Sequence, residues 1–371
     1  MIVARANSRV PLSTLHQRQD THGQREIDAL NSQAAACRAM GSPFYATLLE
    51  LCATRPEGVE FRELLASRPS NEDLQKSVTA LRAFATAHRL ALDGRAPALA
   101  VHYSSCGGDG DAEAALQPLL ETIADHREIV LYDLEIPVQT NEIWRAAPLL
   151  AGFLHVSERF ELPLRLLEIG SSAGLILRWD HLRYEAPSWS WGPAAAGVRL
   201  TRHFPSGDPP FSPTTAPRVV AREGCDLSPI DPTTAAGRNR LLSFVWPDQA
   251  ERIATLRAAC ELACRVAATV EPASAASWLS ERLREPHGGE ATVVFHSVFR
   301  QYLSDDEAAS LKRVIAEAAT RATMSAPIAY LTFEGDEPGS GDGIVSVQYW
   351  PPGETLQLAR ASFHGLNVRW M

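Results

Sequence analysis

The chain has 371 residues, 45% hydrophobic and 21% charged, enough apolar surface for a large core and more length than a typical single domain. Its 44 acidic against 35 basic side chains give a formal net charge of -9, which argues against a long nucleic acid as partner, because phosphate neutralisation dominates such binding. The longest apolar run, residues 146–156, is too short to span a bilayer, and the first twenty residues lack the apolar core of a secretion signal, so a cytoplasmic protein without membrane contact is expected.

The first third reads as helices. Residues 24–40 are alanine-rich with a polar face, and Ser42 before Pro43 offers an N-cap and a helix-compatible proline for a helix over 44–53. Residues 72–92 place Leu74, Val78, Leu81, Phe84 and Ala85 at helical spacing. A short apolar segment at 98–103 ends in the turn-forming run Ser104 to Gly108. Residues 116–134 read as helix. Thr140 or Asn141 then caps another, with a core stripe of Ile143, Ala146, Ala147, Leu150 and Leu154.

From Leu164 the texture changes to alternating strands and helices. A strand at 164–169 and a helix at 173–182 precede a Trp-, Pro- and Gly-rich stretch, 184–217, with a strand at 198–204. Residues 218–221 lead into Gly224–Pro229, and Asp248 caps a helix over 249–266 with Glu251 in the capping-box position. Strands at 267–270, 292–296 and 327–333 alternate with helices at 277–283 and 305–321. Residues 335–343 read as a loop, and strands at 344–350 and 356–362 close the chain. The alternation predicts an α/β fold: a Rossmann-like, mostly parallel sheet over 161–371 with an insertion near 184–217, after a helical region over 1–160.

Six dispersed cysteines form no CxxC pair; Cys260 and Cys264, four apart, read as a helix face with reduced thiols, and no metal site is expected. Arg199, Arg202, Arg218 and Arg222 fall in one region, either as a local basic patch or on a solvated face.

The most informative phrase is LRLLEIGSSAGL at 164–175, a strand, a turn of small residues and a helix start. Glu168, Gly170, Ser172 and Gly174 sit on the acidic-x-Gly-x-Gly-x-Gly frame of nucleotide-cofactor loops, with serine at the middle glycine. A carboxylate at a strand end can hold ribose hydroxyls or a cationic amino-acid moiety, and glycines let backbone approach a ligand.

Several phrases resemble an uncharacterised bacterial family, domain of unknown function 2332: Gly41-Ser42-Pro43, Gln139-Thr140-Asn141-Glu142 with Arg145, LLEIGSSAGL at 166–175, GCDLSPID at 224–231, WPDQ at 246–249 and FHSVFRQYL at 295–303. The resemblance covers nearly the whole chain. The C-terminal part also resembles a class I S-adenosylmethionine (SAM)-dependent methyltransferase. That second resemblance implies SAM as cofactor, with Glu168 orienting it and Gly170, Ser171, Ser172, Ala173 and Gly174 lining it. It further implies ribose contact from Asp226 and a fourth-strand tip at which His296 or Ser297 faces the methyl donor and acceptor, Ser297 as a cofactor contact and His296 as base or acceptor-orienting group. Gln301, Tyr302, Asn141, Glu142 and Arg145 would then meet an unidentified small-molecule acceptor. Departures from the pattern are Ser172, the long segment before Asp226, and a third-strand region, 272–276, without an acid; were Asp226 not the ribose carboxylate, 198–204 would be the second strand.

Methyl transfer from a sulfonium is an in-line displacement that positioning and desolvation can largely accelerate. Plainer readings stand beside these roles: Glu142 and Arg145 as a surface helix pair, His296 as hydrogen-bonded structure, Trp189 and Trp191 as packing rather than a lid, and Trp246 as a staple beside Asp248. Residues 170–174 also fit G-x-S-x-G, a hydrolase elbow with Ser172 as nucleophile, Asp305 or Asp336 as acid and His364 as base. A third reading is a methyltransferase-like binding protein without catalysis. No zinc spacing, phosphate loop or heptad seam supports another class.

Overall fold

The computed structural model describes residues 12–136, 138–205, 207–335 and 341–371, with side chains from residue 23. The chain divides into two compact units, one of residues 1–138 plus Leu242–Ile253, the other of Gln139–Leu241 plus Ala254–Met371. The first division falls before the polar segment at Gln139, and the helical unit includes a second stretch of chain.

Helices α1 (Leu12–Ala39), α2 (Pro43–Thr54), α3 (Val59–Ala66), α4 (Thr79–Leu92), α5 (Pro97–Ala100), α6 (Ala112–Asp125) and α7 (Arg127–Glu135) build the first unit around Leu30, Tyr45, Leu48, Phe84 and Leu119. Ser42 caps α2 through Tyr45 N, as its sequence position implies. Asp248 caps a helix distant in sequence. Its carboxylate accepts Ser42 Oγ at 2.6 Å and Phe44 N at 3.0 Å, so it sits on the N-terminus of α2, where exposed N–H groups and the helix dipole favour an anion. Trp246 packs beside it on Tyr45. Helix α4 begins later than the apolar spacing implied, because Val78 adopts φ 47°, and Glu72 instead accepts the hydroxyls of Ser77 and Thr79. The expected 116–134 helix is broken at His126 into α6 and α7.

In the second unit, α8 (Ala146–Phe160) leads to β1 (Leu164–Ile169). Short strands β2 (Arg183–Glu185), β3 (Ser190–Trp191) and β4 (Arg199–Leu200) form a small separate sheet. Then come β5 (Val219–Asp226), α9 (Ala235–Ser243) and α10 (Ala250–Ala263), whose residues 242–243 and 250–253 count with the first unit, and β6 (Thr269–Pro272), α11 (Ala275–Arg282), β7 (Ala291–Ser297), α12 (Asp305–Ala319), β8 (Ile328–Gly335), β9 (Asp342–Trp350), β10 (Thr355–Ser362) and β11 (Arg369–Trp370). The eight-stranded main sheet has the order β11-β10-β9-β8-β7-β1-β5-β6. Strands β6, β5, β1, β7 and β8 are parallel, and β9 to β11 continue as an antiparallel meander. Chain order proceeds outward from β1 in one direction and from β7 in the other, so the carboxyl ends of β1 and β7 flank the switch point where α/β sheets place ligands. Asp226 ends the strand beside β1, and residues 198–204 contribute only to the small sheet.

Helix α8 covers one face, close enough that a Cβ on Gly152 would meet Leu331 at 2.2 Å. Helices α11 and α12 cover the other, packing Trp278, Leu279, Leu311 and Ile315 on Leu167, Ile169 and Val294. The expected helix at 173–182 is absent. Residues Ile176–His181 form an irregular 3-10 stretch kinked at Arg178. The cause is local: Gly174 O accepts Leu177 N at 3.2 Å and Arg178 Nη1 at 2.8 Å, so the carbonyl that would close the first α-turn is occupied by a side chain. Trp179 follows, stacked between Phe153 and Trp191.

The insertion is packed interior. Trp189 and Trp191 are both buried, Trp189 against Phe204 and Phe211, so neither forms a lid. Arg222 pairs with Asp180 and Arg199 with Glu185, so these two arginines are neutralised locally rather than pooled in a basic patch.

Candidate functional site

The loop leaving β1 turns through three residues of positive φ: Gly170 at 64°, Ser172 at 52° and Gly174 at 63°. Packing explains both glycines. A Cβ on Gly170 would lie 2.2 Å from the Phe299 ring, and one on Gly174 would lie 2.7 Å from Val270. Side chains of this protein, rather than a ligand, occupy the space the missing Cβ atoms leave. Ser172 holds a conformation that a side chain disfavours, and it is fixed at both ends: its N–H donates to Asp226 Oδ2 at 2.9 Å, and its carbonyl accepts Ile230 N at 3.1 Å.

Asp226 is committed to protein. Besides Ser172 N, it accepts Ser228 N and Gln139 Nε2, each at 2.9 Å. Around it lie three buried side-chain atoms without a partner among the described residues: Glu168 Oε2, Ser172 Oγ and Gln139 Oε1. Glu168 is 3% exposed. Burial pushes its carboxyl well above the usual carboxylate range; Arg178 opposes that shift and the Asp226 charge adds to it. Each unsatisfied buried polar group costs about 1–3 kcal/mol, so a ligand rich in hydrogen-bond donors would recover energy at this corner.

The polar segment before α8 is tied across the same strand ends. Asn141 Oδ1 accepts Leu175 N at 2.9 Å in the loop after β1. Glu142 caps the short turn Ile143–Arg145 through Trp144 N and meets His364 Nδ1 at 3.3 Å. Arg145 donates to Phe363 O at 2.9 Å and to Ser297 O at 3.3 Å. Ser171 Oγ donates to Cys225 O, and Ala173 is buried. Thus Asn141, Glu142 and Arg145 hold loops in register through backbone groups and His364.

His296 lies elsewhere. Glu168 and Phe295 are register neighbours on adjacent parallel strands and share a face, so His296, the next residue, projects from the opposite face of the sheet. There Nδ1 is 2.6 Å from Glu334 Oε1 and Nε2 is 2.7 Å from the Tyr330 hydroxyl. Glu334 also accepts Phe299 N at 2.8 Å and Arg300 N at 3.3 Å. Burial works to raise its carboxyl, but His296 and those two N–H groups hold it below the usual value. An ionised Glu334 assigns the proton to Nδ1 and leaves Nε2 to accept the tyrosine hydroxyl. Beyond His296, Val298 takes φ 51°, unusual for a β-branched residue, and Phe299 reaches from the His296 ring to Gly170. Gln301 and Tyr302 are exposed on the turn Arg300–Tyr302.

A cavity of about 840 Å³ opens on this second face, and none of residues 168–174 lines it. His296, Tyr330, Arg300, Lys312, Gln348 and Trp350 contribute to its wall. Gln139 enters the sequence reading only as part of a family phrase, and Tyr330 and Glu334 not at all, although Tyr330, Thr332 and Glu334 alternate with Ala329, Leu331 and Phe333, the period-two signature of a strand with one polar face.

The hydrolase arrangement is not assembled. Ser172 Oγ bonds to no described residue, His364 pairs with Glu142, Asp305 opens α12, and Asp336 lies outside the described residues. An elbow also opens a helix, whereas a kinked 3-10 stretch follows here. Among the described residues no cluster of His, Cys, Asp or Glu could hold a metal ion, and no helix is long and apolar enough to cross a membrane.

Comparison with known proteins places the chain in the family described as uncharacterized protein conserved in bacteria (DUF2332), whose family model matches residues 27–370; the chain belongs to that family. No curated protein and no solved structure matches it.

Proposed function

We propose that this member of DUF2332 binds a small, donor-rich molecule at the corner formed by Glu168, Ser172 and Gln139 and acts as a SAM-dependent methyltransferase on a small acceptor. The observation that carries the reading is the set of three unpartnered buried atoms at the switch point of a parallel sheet. SAM brings an ammonium and two ribose hydroxyls, a donor set that matches these acceptors in kind, and its sulfonium supplies an electrophilic methyl group when bound.

On this reading Glu168 ionises against the ligand's ammonium, because a nearby cation reverses the bias that burial imposes. Ser172 and Gln139 complete the polar contacts, and Asp226 acts through the loop it holds. Gly170, Ser171, Ala173 and Gly174 shape the turn, and Asn141 anchors its far end. Ser297, with its carbonyl on Arg145, ends the strand beside β1. Glu142, Arg145, Gln301 and Tyr302 belong to the acceptor side of the proposal. His296 stands on the other face of the sheet, so it is not a base at this corner. Acceptors whose nucleophilic atom carries no proton need none.

Calorimetry of the full chain with SAM and with S-adenosylhomocysteine tests the reading. Saturable binding lost in Glu168→Gln supports it, and a wild-type protein that takes up no heat from either compound ends it. A non-catalytic binding protein is the second reading, favoured by the commitment of Asp226 to protein groups; binding without methyl transfer to any acceptor fraction would single it out.

A further inference from the structure

The cavity on the α12 face has its own chemistry and does not depend on the methyl donor. Helix α12 spans Asp305–Ala319, and it lines the cavity with Ala308, Ala309, Ala316 and Ala319 on either side of Leu311 and Ile315. Methyl side chains there are too short to reach the sheet, which is why about 840 Å³ stays open over Tyr330, Gln348 and Trp350. Register explains the opposite wall: Tyr330 pairs with Gln348 and Ile328 with Trp350, which lines their side chains along one face of β8 and β9.

Two cations stand on this cavity, Arg300 and Lys312, and neither is paired with a carboxylate among the described residues. Both residues are exposed, so their charge is available to a ligand entering from solvent. Tyr330 is different. Its hydroxyl donates to His296 Nε2, His296 Nδ1–H donates to Glu334, and the remaining lone pairs of the phenol oxygen are free to accept from a ligand.

The geometry points to a second small-molecule site here, for a compound with a flat apolar body, one anionic group held by Arg300 and Lys312, and an ionisable hydroxyl that meets Tyr330. The proton balance is closed within the chain of groups. The ligand hydroxyl gives its proton to the Tyr330 oxygen as the Tyr330 proton passes to His296 Nε2, leaving a ligand oxyanion and an imidazolium paired with Glu334. Glu334 and His296 are positioning residues in this relay, and Tyr330 is the group that touches the ligand.

Hydroxynaphthoate is a suitable probe, since its binding changes fluorescence and its phenol ionisation changes absorbance. The full chain is expected to bind it saturably and at least about fivefold more tightly than neutral naphthol. That preference disappears in the double variant Arg300→Met/Lys312→Met. The bound phenol is expected to ionise about one pH unit lower than in water, and Tyr330→Phe, a conservative change, returns it to its solution value while retaining binding. Lack of binding, equal binding of naphthol, or a preference that survives the double variant overturns the anion site. An ionisation shift that persists in Tyr330→Phe overturns the role given to Tyr330. Circular dichroism of each variant separates these results from unfolding, and the exposed Arg300 and Lys312 are not needed for packing.

Discussion

The carboxylate of Asp226 reaches 54 positions back along the chain to accept the Ser172 N–H at 2.9 Å, fixing the one non-glycine residue of positive φ in the loop after β1. Three donors converge on that carboxylate, so it organises the candidate site before any ligand arrives. Asp226→Ala leaves Ser172 N, Ser228 N and Gln139 Nε2 without their acceptor. A loss of about 2–3 kcal/mol in urea unfolding is expected, with weaker SAM binding in the same protein.

Glu168 links pH to stability. Its carboxyl titrates well above the usual range in the folded state because of burial, so the folded chain holds a proton that the unfolded chain releases. Stability is therefore complete below the ordinary carboxylate pKa and declines as pH rises toward the raised one. Glu168→Gln removes that decline. The variant should melt higher than wild type at neutral pH and equal to it in acid, while losing ligand affinity, a trade that scanning calorimetry against pH reads directly.

Glu334 behaves with the opposite sign. His296 and two N–H groups hold its carboxyl low against the effect of burial, so its contribution is present above the unfolded value and is lost as pH falls through the folded one. Glu334→Gln is expected to lower the melting temperature at neutral pH, with the difference from wild type shrinking toward zero in acid. An unchanged difference across that range would show that the loss is steric.

Glycine positions in the loop divide by what they face. Gly170→Val forces a Cβ to 2.2 Å from Phe299 and imposes a branched side chain at φ 64°, so it should unfold the loop rather than report on a ligand. Ser172→Gly relieves positive φ at the middle position and is expected to change stability by about 1 kcal/mol or less. Chemical denaturation of the two variants side by side distinguishes them.

The helical unit gives a fifth stability test. Ser42→Ala and Asp248→Ala each remove part of the cap on α2, at about 1–2 kcal/mol apiece. Their effects should be less than additive, because both act on one hydrogen bond of 2.6 Å.

Much of the architecture was legible where a single element carries its own signal. The apolar runs at 164–169 and 292–296 read as strands, and β1 and β7 are there, buried along nearly all their length. Strand β5 carries no clear strand signal in the sequence, because Arg222 and Glu223 interrupt its apolar pattern. Their partners, Asp180 for one and Arg165 with Arg282 for the other, come from distant segments. The helix expected at 173–182 failed for a similar reason, a guanidinium taking a backbone carbonyl. Glu168 and Asp226 were visible because a local frame names them. The His296 relay was not, since Tyr330 and Glu334 join it only when β8 pairs with β7.

Residues 242–253 belong with the helical unit although more than a hundred positions separate them from its end at residue 138. During synthesis, the ribosome must therefore deliver β1, the small sheet and β5 before the cap of α2 and the Trp246 ring can be put in place. A fragment ending at residue 160 would lack the last piece of the helical bundle, and a stop codon anywhere before Asp248 removes the carboxylate that caps α2.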